Sequence, residues 1–152
     1  MNHNALARKN LEKRFAMLRE VPMTVPPRGW IRAIRNALGL SAQQLAVRMG
    51  VSQSRVSVLE KAEAAGSTTL NSLRQAAAAM DCTLVYAVVP NMTLDDMLRR
   101  RSEAIADSEL RQLHHSMRLE NQAMSQEDFE AERTRLINEL LAGPARILWN
   151  KL

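Results

Sequence analysis

A short predicted helix that begins after Ser52 carries the side chains best suited to reading another molecule. At about 100° per residue, Val56 and Leu59 share one side of this helix, so the polar residues around them point outward. Gln53 can form two hydrogen bonds with an adenine edge, and Arg55 can contact a phosphate or read a guanine. Serine hydroxyls can bond either a donor or an acceptor group on a base edge, and a valine can touch a thymine methyl. The candidate DNA-binding residues on this helix are Ser52, Gln53, Ser54, Arg55, Ser57 and Val58.

Two short helices joined by a tight turn are predicted to position these side chains. Ser41 and Gln44 form a capping box at the start of the first helix, and Ser52 caps the second. Gly50 between them supplies the positive φ that a tight turn requires. Two further helices complete an apolar core, with Trp30, Ile31, Ile34 and Leu38 on one and Leu70, Leu73, Ala77 and Met80 on the other. This arrangement presents the second helix of the pair to a DNA major groove.

This part of the chain resembles the Cro/C1 (Xre) helix-turn-helix superfamily in the string ALGLSAQQLAVRMGVSQSRVSVLE, and the resemblance implies binding to double-stranded operator DNA. In that family a basic residue of the first helix often pairs with a Glu at the end of the recognition helix. Arg35 and Glu60 occupy those positions and are the expected structural ion pair. The family often has a Gln at the start of the preceding helix, where it touches phosphate. Ala42 stands there in this chain, so Gln43 or Gln44 is the expected substitute.

The segment after these helices, Thr83–Val89, reads TLVYAVV and ends at Pro90. A run of β-branched and apolar residues bounded by proline predicts one β-strand. A lone strand leaves its backbone N–H and C=O groups without partners, so we expect it to pair with the same strand of a second protomer. Pairing within the chain and pairing with another partner are the alternatives. The candidate dimerisation residues are Leu84, Val85, Tyr86, Ala87 and Val88.

Composition and charge narrow the classes of partner. The 152 residues carry a net charge of +5, which suits a phosphate-rich partner, and only 3 % are aromatic, which argues against a stacking platform for single strands. Cys82 is the single cysteine, so one chain builds neither a disulfide nor a thiolate metal site. No apolar run reaches transmembrane length, and no signal-peptide stretch is visible. We expect a bacterial cytoplasmic protein with no membrane partner, located on the nucleoid when bound to DNA.

Three segments and a fold class follow from these patterns. Residues 1–28 are predicted to form a basic amphipathic helix and a proline-rich linker, and residues 29–90 the helix-turn-helix domain with its dimerisation strand. Residues 91–152 are predicted to be a helical region, whose two main helices are capped by Thr93 and Ser125. The expected fold is mainly α: a Cro/C1-like helix-turn-helix bundle, one β-strand paired between protomers, and a C-terminal helical region.

A second resemblance runs through most of the sequence. The chain is similar to the bacterial family called mobile mystery protein A in PPRGWIRAIRNALGLS, in GSTTLNSLRQAAAAMDCTLVYAVVP and in HHSMRLENQ. The genes of that family commonly neighbour one that encodes a Fic-domain protein. Fic enzymes typically transfer AMP from ATP to hydroxyl side chains of target proteins. The resemblance therefore implies a Fic-domain toxin as a partner.

One short motif fits such a partner. The sequence from Ser116 to Asn121 has the pattern (Ser/Thr)-x-x-x-Glu-(Gly/Asn) of Fic inhibitory helices, in which the Glu pairs with an arginine of the Fic active site and displaces the ATP γ-phosphate. Ser116 and Glu120 are four residues apart, so they share a helical face, and a carboxylate forms a strong pair with a guanidinium. The candidate Fic-inhibitory residues are Ser116, Glu120 and Asn121. The alternative is an ordinary amphipathic helix with an exposed glutamate.

Together with the motif, the two resemblances imply an antitoxin that represses its own operon through the helix-turn-helix and inhibits a Fic AMP-transferase with Glu120. The alternative is a transcriptional repressor without a toxin, whose C-terminal helices dimerise or sense a ligand. We expect no enzymatic activity, because no Ser/His/Asp set, Cys/His set or phosphate loop stands out. No cofactor and no metal are expected either, since His114 and His115 are adjacent and face different directions on a helix.

Overall fold

Helices dominate the described part of the chain. The structure, a computed structural model, describes residues 3–120 and 124–150. Within these ranges the helices are α1 (His3–Arg19), α2 (Trp30–Ala37), α3 (Ala42–Met49), α4 (Gln53–Ala65), α5 (Leu70–Ala79), α6 (Leu94–Leu119), α7 (Gln126–Ala142) and α8 (Ile147–Asn150). None of these helices is long and apolar enough to cross a membrane. The chain divides into a central unit, Val21–Val88, and a flanking unit, Met1–Glu20 with Val89–Leu152.

In the central unit, α2, α3, α4 and α5 surround one apolar core. Its buried residues are Ile31, Leu45, Ala46, Val56, Leu59, Ala76 and Met80. Hydroxyl caps start three of these helices, because the side chains of Ser41, Ser52 and Thr69 each accept a hydrogen bond from a first-turn N–H. Gly50 ends α3 in the left-handed conformation, with φ of 68°, and so forms the tight turn into α4.

Three large apolar residues predicted for this core are exposed instead. Trp30 is the first residue of α2, Leu38 is the C-cap of that helix, and Leu70 is the first residue of α5. Each lies at a helix end, where no neighbouring turn covers the side chain on one of its sides. The helical period assigns a residue to a face, but it does not say how far the core extends along the helix.

No β-strand forms among the described residues, so the predicted strand has no support in the single chain. Residues 82–90 have no regular secondary structure. A strand is stable only when a neighbour takes up its backbone N–H and C=O groups, and the described part of the chain offers no second strand. Much of the segment is in solvent: Val85, Tyr86 and Val88 are 73 %, 65 % and 86 % exposed.

In the flanking unit, α6 packs against α1, α7 and α8. The buried residues of this unit include Ser102, Ile105, Ala106, Leu110, Ile137 and Leu148. The short helix α8 docks through Leu148, whose C=O accepts a 2.7 Å hydrogen bond from Arg101 Nε. The Arg101 guanidinium also lies 5.9 Å from the centre of a Trp149 ring, within the range of a cation–π contact. The C-terminal stretch therefore packs within its own unit through Leu148, while Ile147 and Trp149 remain exposed.

The N-terminal helix α1 is held to the start of α6. Arg19 donates hydrogen bonds to the C=O groups of Pro90 and Met92, at 3.0 and 2.9 Å. Arg19 also pairs with Glu12, and Glu12 accepts a 3.3 Å hydrogen bond from the N–H of Leu94. We expected this helix to form a segment of its own with the linker, whereas contacts with residues distant in sequence place it in the flanking unit.

Candidate nucleic-acid interface

The outer face of α4 is open to solvent over its first turns. Its N-terminal residues Ser52, Gln53, Ser54 and Arg55 are exposed. One turn later Val58 is 65 % exposed, and Ser57 is half-buried. On the opposite side of the helix, Val56 and Leu59 are buried in the core. The candidate residues of α4 therefore lie on its solvent side, with Ser57 at the edge of that face.

The first turn of α4 is organised by Ser52. Its Oγ accepts a 3.3 Å hydrogen bond from the N–H of Arg55 and lies 3.0 Å from the Oγ of Ser54. The other N–H groups of this turn have no acceptor within the helix and form the positive end of the helix dipole, which suits a phosphate. Ser52 therefore has a capping role, besides any contact with DNA.

The two glutamines of α3 have different surroundings. Gln44 completes a capping box, because its Oε1 accepts a 2.8 Å hydrogen bond from the N–H of Ser41 while its own N–H donates to Ser41 Oγ at 3.1 Å. Gln43 is exposed and lines, with Val47 and Arg48, a surface depression of about 660 Å³. Of the two substitutes considered for the family's phosphate contact, Gln43 is the one that the capping box does not use.

A buried ion pair braces α4 against α2. Arg35 Nε lies 2.6 Å from Glu60 Oε1, and Arg35 Nη2 lies 3.1 Å from Glu60 Oε2, so the pair is bidentate. The third nitrogen, Nη1, donates a 2.8 Å hydrogen bond to the C=O of Leu40. Glu60 is only 6 % exposed, and its hydrogen bond raises the pKa of Arg35. Because all three nitrogens of one guanidinium are fixed, α4 is held at a defined angle to α2.

A second carboxylate of α4 contacts α2, and the sequence patterns did not predict it. Glu63 accepts hydrogen bonds from the N–H groups of Trp30 and Ile31, at 2.8 and 3.0 Å, and so caps the start of α2. Gly29 passes close to this carboxylate, since a Cβ at Gly29 would lie 2.5 Å from Glu63 Oε2. Gly29 precedes α2 and has no side chain to cap it, and the residue that does so is more than thirty positions away.

Basic charge is concentrated in the central unit. Residues 21–88 contain seven Lys or Arg and three Asp or Glu, a net charge of +4 out of +5 for the whole chain. Two of the three acids, Glu60 and Glu63, face α2 through the contacts described above. The unit that carries α4 therefore has the net positive charge that contacts with a phosphate backbone require.

The candidate Fic-inhibitory residues lie at the C-terminal end of α6, in the flanking unit. Ser116 is exposed, and its Oγ donates a 3.2 Å hydrogen bond to the C=O of Gln112. Glu120 is also exposed and is the C-cap of α6, with its N–H bonded to the C=O of Ser116 at 3.3 Å. Asn121 lies outside the described residues. Ser116 and Glu120 are thus one helical turn apart on an accessible helix end.

The histidines considered for a metal site have other surroundings. His114 packs edge-on against Phe129, with 6.1 Å between ring centres and 84° between ring planes. His115, the next residue, is exposed. Over residues 3–120 and 124–150, no group of three or more His, Cys, Asp or Glu is placed to hold a metal ion.

Comparison with known proteins identifies the central domain. A family model described as helix-turn-helix matches residues 31–86, which run from the second residue of α2 into the segment after α5. No curated protein and no solved structure matches the chain. Residues 31–86 are a Cro/C1-type helix-turn-helix, the DNA-binding domain of a transcriptional regulator. The match lies entirely within the central unit.

Proposed function

We propose that this protein is a repressor that binds operator DNA with α4 in the major groove. The observation that carries the proposal is the accessible outer face of α4, on a helix that the Arg35–Glu60 pair fixes against α2. A recognition helix needs both properties, since base edges are read only when the side chains reach them at a set angle. Gln53 and Ser54 are assigned to base edges, and Arg55 and Gln43 to phosphates.

The test is selection of binding sites from a random duplex pool, followed by affinity measurements on the selected and on scrambled duplexes. The Gln53→Ala/Ser54→Ala double variant should lose about 1–3 kcal/mol of specific binding and keep most of its non-specific affinity. Gln112→Ala/Ser108→Ala is the matched control, because it removes the same side chains from exposed positions on α6. Equal specific affinity of the wild type and the α4 double variant would refute the assignment.

Binding as a homodimer through residues 84–88 is part of this proposal. The support is the exposure of Val85, Tyr86 and Val88 in a segment with no neighbouring strand in the described chain. A second copy placed about a two-fold axis would complete the backbone hydrogen bonds as a two-stranded ribbon. Two copies of α4 would then lie one DNA turn apart, or a multiple of it, on a palindromic operator.

Sedimentation analysis with proline variants tests the dimer. Val85→Pro removes a backbone donor from the proposed ribbon and should give a monomer with weaker, non-cooperative operator binding. Thr24→Pro is the control, since it places the same residue in another exposed segment without helix. A wild-type chain that is monomeric at micromolar concentration and binds a palindrome without cooperativity would exclude the dimer.

Inhibition of a Fic AMP-transferase is the second candidate function. The observation that favours it is the position of Ser116 and Glu120, one turn apart on an exposed helix end of the flanking unit. There the Glu120 carboxylate is accessible to a guanidinium of a partner protein. In this proposal the operator and the operon belong to a toxin–antitoxin pair. If no such partner exists, the proposed function is that of a transcriptional repressor without a toxin.

Co-expression with a neighbouring Fic gene tests the second candidate. Glu120→Gly should release AMP transfer, seen as arrested growth and AMP-modified proteins by mass spectrometry, while DNA binding is unchanged. Glu20→Gly, an exposed glutamate just after α1, is the control and should keep the Fic protein silent. If Glu120→Gly still silences a Fic protein that is active alone, the inhibitory carboxylate has been assigned wrongly.

A further inference from the structure

A cavity in the flanking unit has a basic wall. It measures about 440 Å³ and is lined by the C-terminal half of α6 and the first turn of α7. Four of its lining residues come from α6: Arg111, His114, His115 and Arg118. The other three follow Arg111 by three, four and seven residues, so all four lie on one face of the helix. The DNA-binding and Fic proposals use none of them.

This concentration of positive charge is not balanced within the cavity. Two arginines one or two turns apart on a helix repel each other, and none of the described lining residues is acidic. Asp107 lies one turn earlier on the same face and its charge also acts on Arg111, but its carboxylate pairs with Arg133 at 2.6 Å. Asp128, in the first turn of α7, accepts a 2.6 Å hydrogen bond from the Ser125 hydroxyl. An anion in the cavity would therefore supply negative charge that its described lining residues lack.

The start of α7 also suits an anion. Ser125 and Gln126 bring the start of α7 to the cavity, where N–H groups of the first turn have no acceptor within the helix. Apolar side chains complete the wall, because Met124 and Phe129 also line the cavity.

From this wall we infer that the cavity binds a small phosphate monoester with an aromatic group. The phosphate lies against Arg111 and Arg118, which can each donate two parallel hydrogen bonds to its oxygens, and the aromatic group lies against Met124 and Phe129. The volume of about 440 Å³ is in the range of small-molecule sites and too small for a folded partner. Ser116 and Glu120 lie about 140° and 180° around α6 from Arg111, so this site is separate from the Fic-inhibitory motif.

Phenyl phosphate is the probe, and calorimetric titration of the full chain is the measurement. Inorganic phosphate tests the anion alone and phenol tests the aromatic group alone. Phenyl phosphate should bind at submillimolar concentration, inorganic phosphate more weakly, and phenol not measurably. Arg111→Gln/Arg118→Gln should weaken phenyl phosphate binding by about tenfold or more. Arg99→Gln/Arg100→Gln makes the same charge change at exposed positions on α6 outside the cavity and should leave the affinity unchanged.

Three results would overturn the site. No heat and no NMR shift at α6 with any probe at millimolar concentration would show that the cavity takes no phosphate. An equal loss of affinity in the two double variants would show non-specific charge attraction only. Weaker duplex DNA binding by Arg111→Gln/Arg118→Gln than by Arg99→Gln/Arg100→Gln would show that the basic face contacts nucleic acid instead. Circular dichroism of each variant checks that α6 and α7 remain folded.

Discussion

At the scale of single residues, Gly29 has an unusually constrained position. Its φ of 84° is strained for any residue with a side chain, and a Cβ there would meet the Glu63 carboxylate that caps α2. Gly29→Ala should lower the free energy of unfolding of the central unit by about 2–4 kcal/mol, as backbone strain and cap loss add. Urea unfolding followed by Trp30 fluorescence in a Trp149→Phe background measures it.

Gly39 is the matched control for this substitution. It also has a positive φ, 68°, but a Cβ there would meet nothing within 4 Å. Gly39→Ala should therefore cost only the backbone strain, about 1–2 kcal/mol. Equal losses for the two variants would mean that contact with Glu63 contributes nothing to the effect at Gly29.

The residue scale also shows where sequence reasoning stops. The outward face of α4 follows from helical periodicity, because the buried positions Val56 and Leu59 fix which residues point away. The cap that Glu63 provides for α2 joins residues more than thirty positions apart, and no local pattern reports such a contact. Leu38 and Leu70 are exposed because they lie at helix ends, and helical periodicity does not show where the core stops along a helix.

At the scale of helices, Arg19 connects α1 to α6. It bonds two backbone C=O groups before α6 and pairs with Glu12, which itself contacts the first turn of α6. Arg19→Ala should loosen α1, because no residue of α1 is buried and polar contacts must contribute much of its attachment. Amide hydrogen exchange in α1 should rise by about tenfold, with exchange in the central unit unchanged.

Arg14→Ala provides the comparison for Arg19→Ala. Arg14 is exposed on the same helix and carries the same charge. If both variants exchange alike in α1, the loss of a basic residue matters and the bonds to Pro90 and Met92 do not.

Asp107 and Arg133 join α6 to α7, and this pair predicts a pH dependence. The Arg133 guanidinium holds the pKa of Asp107 below its usual value of 3.8. The pair therefore stabilises the folded state above about pH 4 and loses this effect as the pH falls through the lowered pKa. Because the Asp107 side chain is 39 % exposed, Asp107→Asn should cost only about 0.5–1 kcal/mol at neutral pH. The cost should shrink towards zero in acid.

Unfolding curves at neutral pH and near pH 3, followed by Trp149 fluorescence in a Trp30→Phe background, measure this difference. Arg133→Met removes the other partner and should not add to Asp107→Asn in the double variant. A cost for Asp107→Asn that is the same at both pH values would mean that the ion pair is not its source.

Helix starts were easier to predict than associations between elements. The capping residues Ser41, Ser52, Thr93 and Ser125 mark the starts of α3, α4, α6 and α7, because the signal for a cap lies within four residues. The predicted strand does not form in the described part of the single chain, because strand formation depends on a neighbour that β-branched composition alone does not supply. The position of α1 beside α6 was not predictable, since it rests on contacts between residues more than seventy positions apart.

At the scale of the whole molecule, charge is divided unequally between the two units. The central unit has +4 of the net charge of +5. Salt dependence of DNA binding should therefore arise mainly from basic residues of this unit. Arg55→Ala should reduce the slope of log affinity against log salt by about one and weaken specific and non-specific binding together. Fluorescence anisotropy at several salt concentrations gives the slope.

Arg146 is the control for Arg55. It is an exposed arginine of the flanking unit, so Arg146→Ala changes the net charge equally. An equal fall in slope for both variants would contradict the assignment of Arg55 to a phosphate and would extend the DNA contact to the flanking unit.

The order of the units along the chain has a consequence for cleaved protein. The central unit interrupts the flanking unit, so α1 precedes residues 84–88 and α6 follows them. A protease site inserted after Tyr86 would cut the backbone once, yet the two fragments should elute together from a sizing column, because α1 on one still holds α6 on the other. Arg19→Ala should weaken this association. The protein would then behave as a split pair whose reassembly depends on a few polar contacts between α1 and the start of α6, of which Arg19 makes two to backbone C=O groups.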